Sequence, residues 1–65
     1  MPRNRPSTVK DVDAWERVSR IDECGDGLTE WEINFLDSML KQLMAGKFAS
    51  EKQMEIVERM ERDRL

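Results

Sequence analysis

The chain has 65 residues and a net charge of −3, and 38% of its residues are hydrophobic and 38% are charged. A chain this short has room for one core, and apolar burial barely exceeds the entropy cost of ordering it. It contains no histidine and one cysteine, which excludes an internal disulfide, a thiol–imidazole pair and the usual structural zinc sites. We therefore expect a non-enzymatic protein without cofactor or metal, whose core depends on helix packing, on a partner protein or on a second copy in a homodimer.

Residues 1–7 contain two prolines and two arginines, which predicts a flexible basic arm ahead of a single helical domain over residues 8–65. The arm leads into no apolar segment, so it does not resemble a secretion signal. No apolar run reaches the ~18 residues that span a bilayer, so no membrane contact is expected. The lone thiol of Cys24 fits a reducing compartment. We expect a cytoplasmic protein.

The first predicted helix covers residues 8–23. Thr8 is the expected cap, and Gly25 follows the end. Its apolar residues recur every three positions, so on a helix of about 100° per residue the stripe winds by about 60° at each step. One partner helix cannot cover such a stripe. Either this helix crosses its neighbours steeply or one end of the stripe faces another chain, and we favour the second. The stripe consists of Val9, Val12, Trp15, Val18 and Ile21.

Two capping boxes predict the other helices. Thr29 with Glu32 begins a helix over residues 29–45, and Ser50 with Gln53 begins a helix over residues 50–63. No segment alternates like a strand. The sequence therefore predicts an all-α fold with a three-helix arrangement.

The second predicted helix is apolar around more than half of its circumference. A helix of this kind has neighbours on two sides, so we expect it to be central, with Trp31 in the core. The apolar positions are Leu28, Trp31, Ile33, Phe35, Leu36, Met39, Leu40, Leu43 and Met44.

The twelve residues from Asp22 to Ile33 partly match a calcium-binding loop. Asp22, Asp26 and the following glycine suit its first, fifth and sixth positions. Cys24 at the third position and Ile33 at the twelfth are poor ligands, although the twelfth position supplies the main carboxylate. The pattern therefore favours a turn before a capping box over a calcium site.

Acidic residues dominate the middle of the chain, since residues 11–37 carry nine acids and two bases. Clustered charge of one sign steers a protein towards an oppositely charged partner. We expect an apolar and acidic helical face that docks on a larger protein, such as one that handles nucleic acid, and inhibits or adapts it. The candidate contact residues are Asp11, Val12, Trp15, Val18, Asp22 and Asp26.

Direct nucleic-acid binding is the alternative. A helix-turn-helix is disfavoured because the second helix begins with acids, which phosphates repel. The remaining phosphate contacts come from the arm and from helix three, whose arginines alternate with acids. They are Arg3, Arg5, Lys10, Arg59, Arg62 and Arg64.

About half of the chain resembles small, mostly uncharacterised phage and prophage proteins. The resemblance rests on residues 28–32, 35–39, 50–53 and 56–60. It implies a small accessory protein of a phage or mobile element, which would lie in the host-cell cytoplasm and act on a host or phage protein. It brings no catalytic residues with it.

Overall fold

A computed structural model of the chain describes residues 5–65, which form three α-helices and no strands. Helix α1 spans Val12–Cys24, α2 spans Glu30–Met44 and α3 spans Glu51–Arg64. The predicted all-α class and three-helix arrangement are confirmed. Five of the six predicted helix ends agree to within about one residue, which is the usual uncertainty of such ends.

Both predicted capping boxes are present. The Thr29 hydroxyl accepts a hydrogen bond from the Glu32 N–H (3.1 Å), and the Glu32 carboxylate accepts one from the Thr29 N–H (2.8 Å). Ser50 and Gln53 make the same reciprocal pair at 3.1 and 2.9 Å. Gly46 follows the end of α2 and has a φ of +84°, a backbone conformation that residues other than glycine rarely adopt.

Helix α1 begins four residues later than predicted, and its cap is Asp11 instead of Thr8. One carboxylate oxygen of Asp11 accepts a hydrogen bond from the Ala14 N–H (3.2 Å). The other oxygen accepts one from the Ala49 N–H (3.0 Å) in the loop between α2 and α3. A carboxylate satisfies two donors at once, so this cap also ties the start of α1 to a distant loop.

The segment before α1 is a turn in which the Val9 N–H donates to the Pro6 carbonyl (3.1 Å). Val9 is buried in the core. Of the predicted arm, residues 1–4, and with them Arg3, lie outside the described residues.

Helix α1, and not α2, lies at the centre of the fold, so the prediction of a central second helix is wrong. Helix α1 packs directly against both α2 and α3, whereas the backbones of α2 and α3 lie farther apart. The Asp26 N–H donates to the Arg64 carbonyl (3.2 Å) at one end of the fold, and Asp11 holds Ala49 at the other. Helices α1 and α3 therefore run parallel, and α2 runs in the opposite direction.

The winding stripe of α1 explains this central position. Trp15, Val18 and Ile21 are 2%, 0% and 0% exposed, because α2 and α3 together cover different parts of the stripe. No second chain is needed at Trp15 or Val18. The core consists of Val9, Ala14, Trp15, Val18, Ile21, Leu36, Met39, Leu40, Leu43, Val57 and Met60.

Trp31 is 57% exposed, so the prediction that it belongs to the core is wrong. Its stripe has four-residue spacing, which winds by about 40° at each step. Met39 and Leu43 face the core, and Phe35 is half-buried. Trp31 lies eight residues before Met39, so the stripe has wound by about 80° between them and Trp31 faces solvent.

We expect the substitution Trp15→Ala to destabilise the domain by about 3–5 kcal/mol, because it empties a large volume in the core. That is most of the stability of a domain of this size, and adding Val18→Ala unfolds it. Trp31→Ala is the matched control, and its effect is within about 1 kcal/mol. Urea titration followed by circular dichroism measures both. A stable Trp15→Ala, Val18→Ala variant would place these residues outside the core.

We expect Asp11→Ala to cost about 2 kcal/mol, since it removes a helix cap and leaves the Ala49 N–H without its acceptor. Asp13→Ala is the control, because Asp13 lies in the same turn with an exposed side chain. Thermal unfolding of both variants tests this. Equal melting temperatures would show that the link to Ala49 contributes nothing.

Candidate protein-docking surface

Helix α2 carries uncovered apolar side chains on both sides of the face that it buries. On one side lies the exposed Trp31, with the half-buried Phe35 beside it, and on the other lie Ile33 and Met44, which are 50% and 40% exposed. Neighbouring helices thus cover only the middle of its wide apolar surface. The buried residues between the two sides are Leu36, Met39, Leu40 and Leu43.

Trp31 and Phe35 stack on each other, with ring centroids 5.4 Å apart and planes inclined by 8°. Phe35 is half-buried and packs against the core, so it holds the exposed indole of Trp31 in place. Stacked aromatic pairs contribute about 0.5–1.5 kcal/mol beyond the area that they bury. We call this pair the aromatic ledge.

The aromatic ledge lies on the side of α2 that borders α3. Gln42, two helical turns after Phe35 on the same face, identifies that side, because it exchanges two amide hydrogen bonds of 3.0 Å with Gln53 of α3. The Gln42 amide also donates to the Phe48 carbonyl (3.0 Å). These bonds hold the far end of α2 against the start of α3.

An ion pair holds the other end. The Arg64 guanidinium reaches both carboxylate oxygens of Glu32, with Nη2 3.0 Å from Oε1 and Nε 3.3 Å from Oε2. The pKa of Glu32 is lowered, and the largest cause is the hydrogen bond from the Thr29 N–H. Burial acts in the opposite direction and raises the pKa, whereas the hydrogen bond from Arg64 lowers it further. Glu32 therefore serves as a helix cap and as the contact between α2 and the end of α3.

The predicted contact residues do not form one surface. Trp15 and Val18 are buried, so their assignment as contact residues is wrong: α2 and α3 already cover them. The two side-chain oxygens of Asp11 accept backbone hydrogen bonds within the fold. Val12 is 36% exposed, and Asp26 is exposed in the loop after α1.

The sixth predicted contact residue, Asp22, is half-buried. Cys24, near it at the end of α1, is exposed and carries a free thiol.

The predicted nucleic-acid residues are also not brought together. Lys10 lies beside Gly46 at one end of the fold. Arg64 lies at the opposite end, about 21 Å away by the length of α3, and it is engaged with Glu32. The exposed basic residues of this set among the described residues are Arg5, Lys10, Arg59 and Arg62.

A shallow groove between α1 and α3 is lined mainly by charged side chains of α1 and by Glu61. Arg17 crosses it, 3.5 Å from Asp13 and 3.8 Å from both Glu58 and Glu61. This arginine offsets the acidic groups around it and joins the two helices. Across residues 5–65, no three of the acidic and cysteine side chains are grouped so that they could hold a metal ion.

The sequence contained a signal for the aromatic ledge that the prediction did not use. Four-residue spacing winds around a helix just as three-residue spacing does, in the opposite sense. On a helix of about 100° per residue, Trp31 lies about 140° around the helix axis from Leu36, which faces the core. The spacing therefore predicts that the indole points away from the core.

Comparison of the chain with protein-family models, with curated proteins and with solved structures found no match. None of the helices formed by residues 5–65 has the length and apolar character needed to cross a bilayer.

We expect Glu32 to make the stability of the fold depend on pH. Its pKa is lowered from the usual 4.5 in the folded chain, so its stabilising contribution is complete above that value and is lost as the pH falls through the lowered pKa. Glu32→Gln keeps a side chain suited to the capping box but does not titrate. Between about pH 5 and pH 3 the wild type should lose more stability than this variant, measured as the urea midpoint.

Glu30→Gln is the matched control, because Glu30 is an exposed acid in the same turn of α2. Identical pH profiles for wild type and Glu32→Gln would show that the pair with Arg64 and the cap do not favour the ionised carboxylate.

Proposed function

We propose that this protein is a non-enzymatic interaction domain that docks through its aromatic ledge on a larger protein and modulates it. The exposed, stacked Trp31 supports this proposal most directly. Tryptophan is the residue type most enriched among those that dominate binding energies at protein interfaces. A partner that covers the indole would remove from water a large apolar area that the fold leaves uncovered.

The aromatic ledge is also preorganised. Phe35 fixes one face of the indole, and two polar contacts between α2 and α3 flank the ledge, one at Gln42 and one at Glu32. A side chain already held in its bound position loses less entropy on association. This arrangement supports binding by a rigid surface.

The resemblance to small phage and prophage proteins supports an accessory role in a bacterial host, in which the partner is a host or phage protein. We place this role in the host cytoplasm. The resemblance directs the search for a partner to a bacterial lysate.

We expect tagged wild-type chain to retain a protein from a nuclease-treated lysate, and Trp31→Ala to lose it. Ile33→Ala is the matched control, because Ile33 is an equally exposed apolar residue on the other side of α2. With the purified partner, Trp31→Ala should weaken binding by a factor of about thirty or more, as at an interface hot spot. Titration calorimetry measures this.

Circular dichroism first confirms that each variant is folded. Partners that both variants retain would move the contact away from the aromatic ledge. Recovery of nucleic acid in place of protein, with binding that falls steeply as salt rises, would favour the nucleic-acid alternative.

A further inference from the structure

All four lysines of the chain lie at one end of the fold, where α1 begins, α2 ends and α3 begins. Lys41 is in the last turn of α2, Lys47 is in the loop after it, and Lys52 is in the first turn of α3. Lys10, just before α1, lies beside Gly46, with its Cε 3.8 Å from the position of the missing Cβ. The four lysines are exposed. We call the surface that they form the lysine-rich end.

Three acids also lie at the lysine-rich end, and two of them are engaged. Both carboxylate oxygens of Asp11 accept backbone hydrogen bonds within the fold. Asp37, one turn before Lys41, pairs with it at 3.0 Å. The third acid, Glu51, is exposed and lies beside a shallow hollow on the side of α3 that two further glutamates line.

The lysine-rich end is the basic part of an acidic chain. Together with Arg5, which is exposed ahead of the turn at Pro6, the lysines make five bases against these three acids. Asp13, in the first turn of α1, is offset by Arg17 at 3.5 Å. The rest of the sequence carries eleven of the fourteen acids and six of the eleven bases. A chain with this charge distribution turns its lysine-rich end towards an anionic surface.

Exposed apolar side chains accompany the lysines. Phe48, next to Lys47, is 64% exposed, which is the largest value among the exposed large apolar residues of the described chain. Met44 at the end of α2 and Val12 at the start of α1 are 40% and 36% exposed. The Gln42 amide donates to the Phe48 carbonyl (3.0 Å), so the loop that carries the ring is tied to α2. Aromatic and aliphatic side chains among lysines suit the boundary between the headgroups and the acyl chains of a bilayer.

We propose that the lysine-rich end binds the surface of an anionic phospholipid bilayer. Phe48 enters the boundary between headgroups and acyl chains, and Lys10, Lys47 and Lys52 contact the lipid phosphates. Such contact needs no membrane-spanning helix. The acids of the rest of the chain are repelled by the bilayer, which orients the domain. Trp31, at the start of α2, then lies at the end of the fold that faces away from the lipid.

A bilayer fits the lysine-rich end better than a nucleic-acid strand does. A bilayer is flat and touches only the end of the fold. A strand that contacts several lysines also passes along the sides of the helices, where acids such as Asp37 and Glu51 repel its phosphates. The aliphatic side chains of Met44 and Val12 gain from contact with acyl chains, whereas bases stack on aromatic rings.

The probe is a vesicle made of equal parts of phosphatidylglycerol and phosphatidylcholine, and the control vesicle is phosphatidylcholine alone. We expect the full chain to sediment with the anionic vesicles and to remain in solution with the neutral ones. Binding should weaken as salt screens the charges.

Two kinds of variant locate the contact. Phe48→Ser should weaken vesicle binding about fivefold or more, and Lys47→Gln with Lys52→Gln should weaken it about tenfold or more. The matched control is Arg59→Gln with Arg62→Gln, which changes the net charge equally at exposed positions farther along α3. This control should bind like the wild type. Circular dichroism confirms that each variant is folded.

Trp31→Ala should also bind vesicles like the wild type, which separates this proposal from the one that rests on the aromatic ledge. Absence of binding to anionic vesicles, or equal binding to neutral ones, would overturn the proposal. So would equal losses in the lysine and arginine variants, or tighter binding to a single-stranded oligonucleotide than to the vesicles.

Discussion

Helix α1 has an apolar residue at every third position, and this spacing sets how the three helices pack. A stripe that winds by about 60° at each step presents apolar side chains to two directions at once. Helix α1 therefore buries Trp15, Val18 and Ile21 only if it has a helix on each side. Helices α2 and α3 lie at those two positions, so their backbones do not contact each other directly.

Polar side chains then hold α2 and α3 in place around α1. Asp11 joins the start of α1 to the loop before α3, and Gln42 and Glu32 reach α3 from the two ends of α2. Each contact also completes a cap or satisfies a backbone group, so few buried polar atoms are left without partners. In a domain with a core this small, a few such contacts account for much of the net stability.

Helix α2 has a wider apolar surface than its two neighbours cover, and the proposed docking function follows from this excess. The aromatic ledge lies on the α3 side of the helix. It is flanked by the uncharged amides of Gln42 and Gln53 and by the ion pair between Glu32 and Arg64. The α1 side has the exposed aliphatic side chains of Ile33 and Met44.

The amino-acid sequence is enough to place the helices, because capping boxes and glycine turns are local chemistry: Thr29 and Ser50 begin α2 and α3 where predicted. It also determined that α1 needs more than one partner helix. The faces that those partner helices cover could not be predicted in this way, since they depend on how helices distant in sequence pack together. That packing buries Trp15, exposes Trp31 and draws Asp11 into a cap, and so it moves the candidate site from α1 to α2.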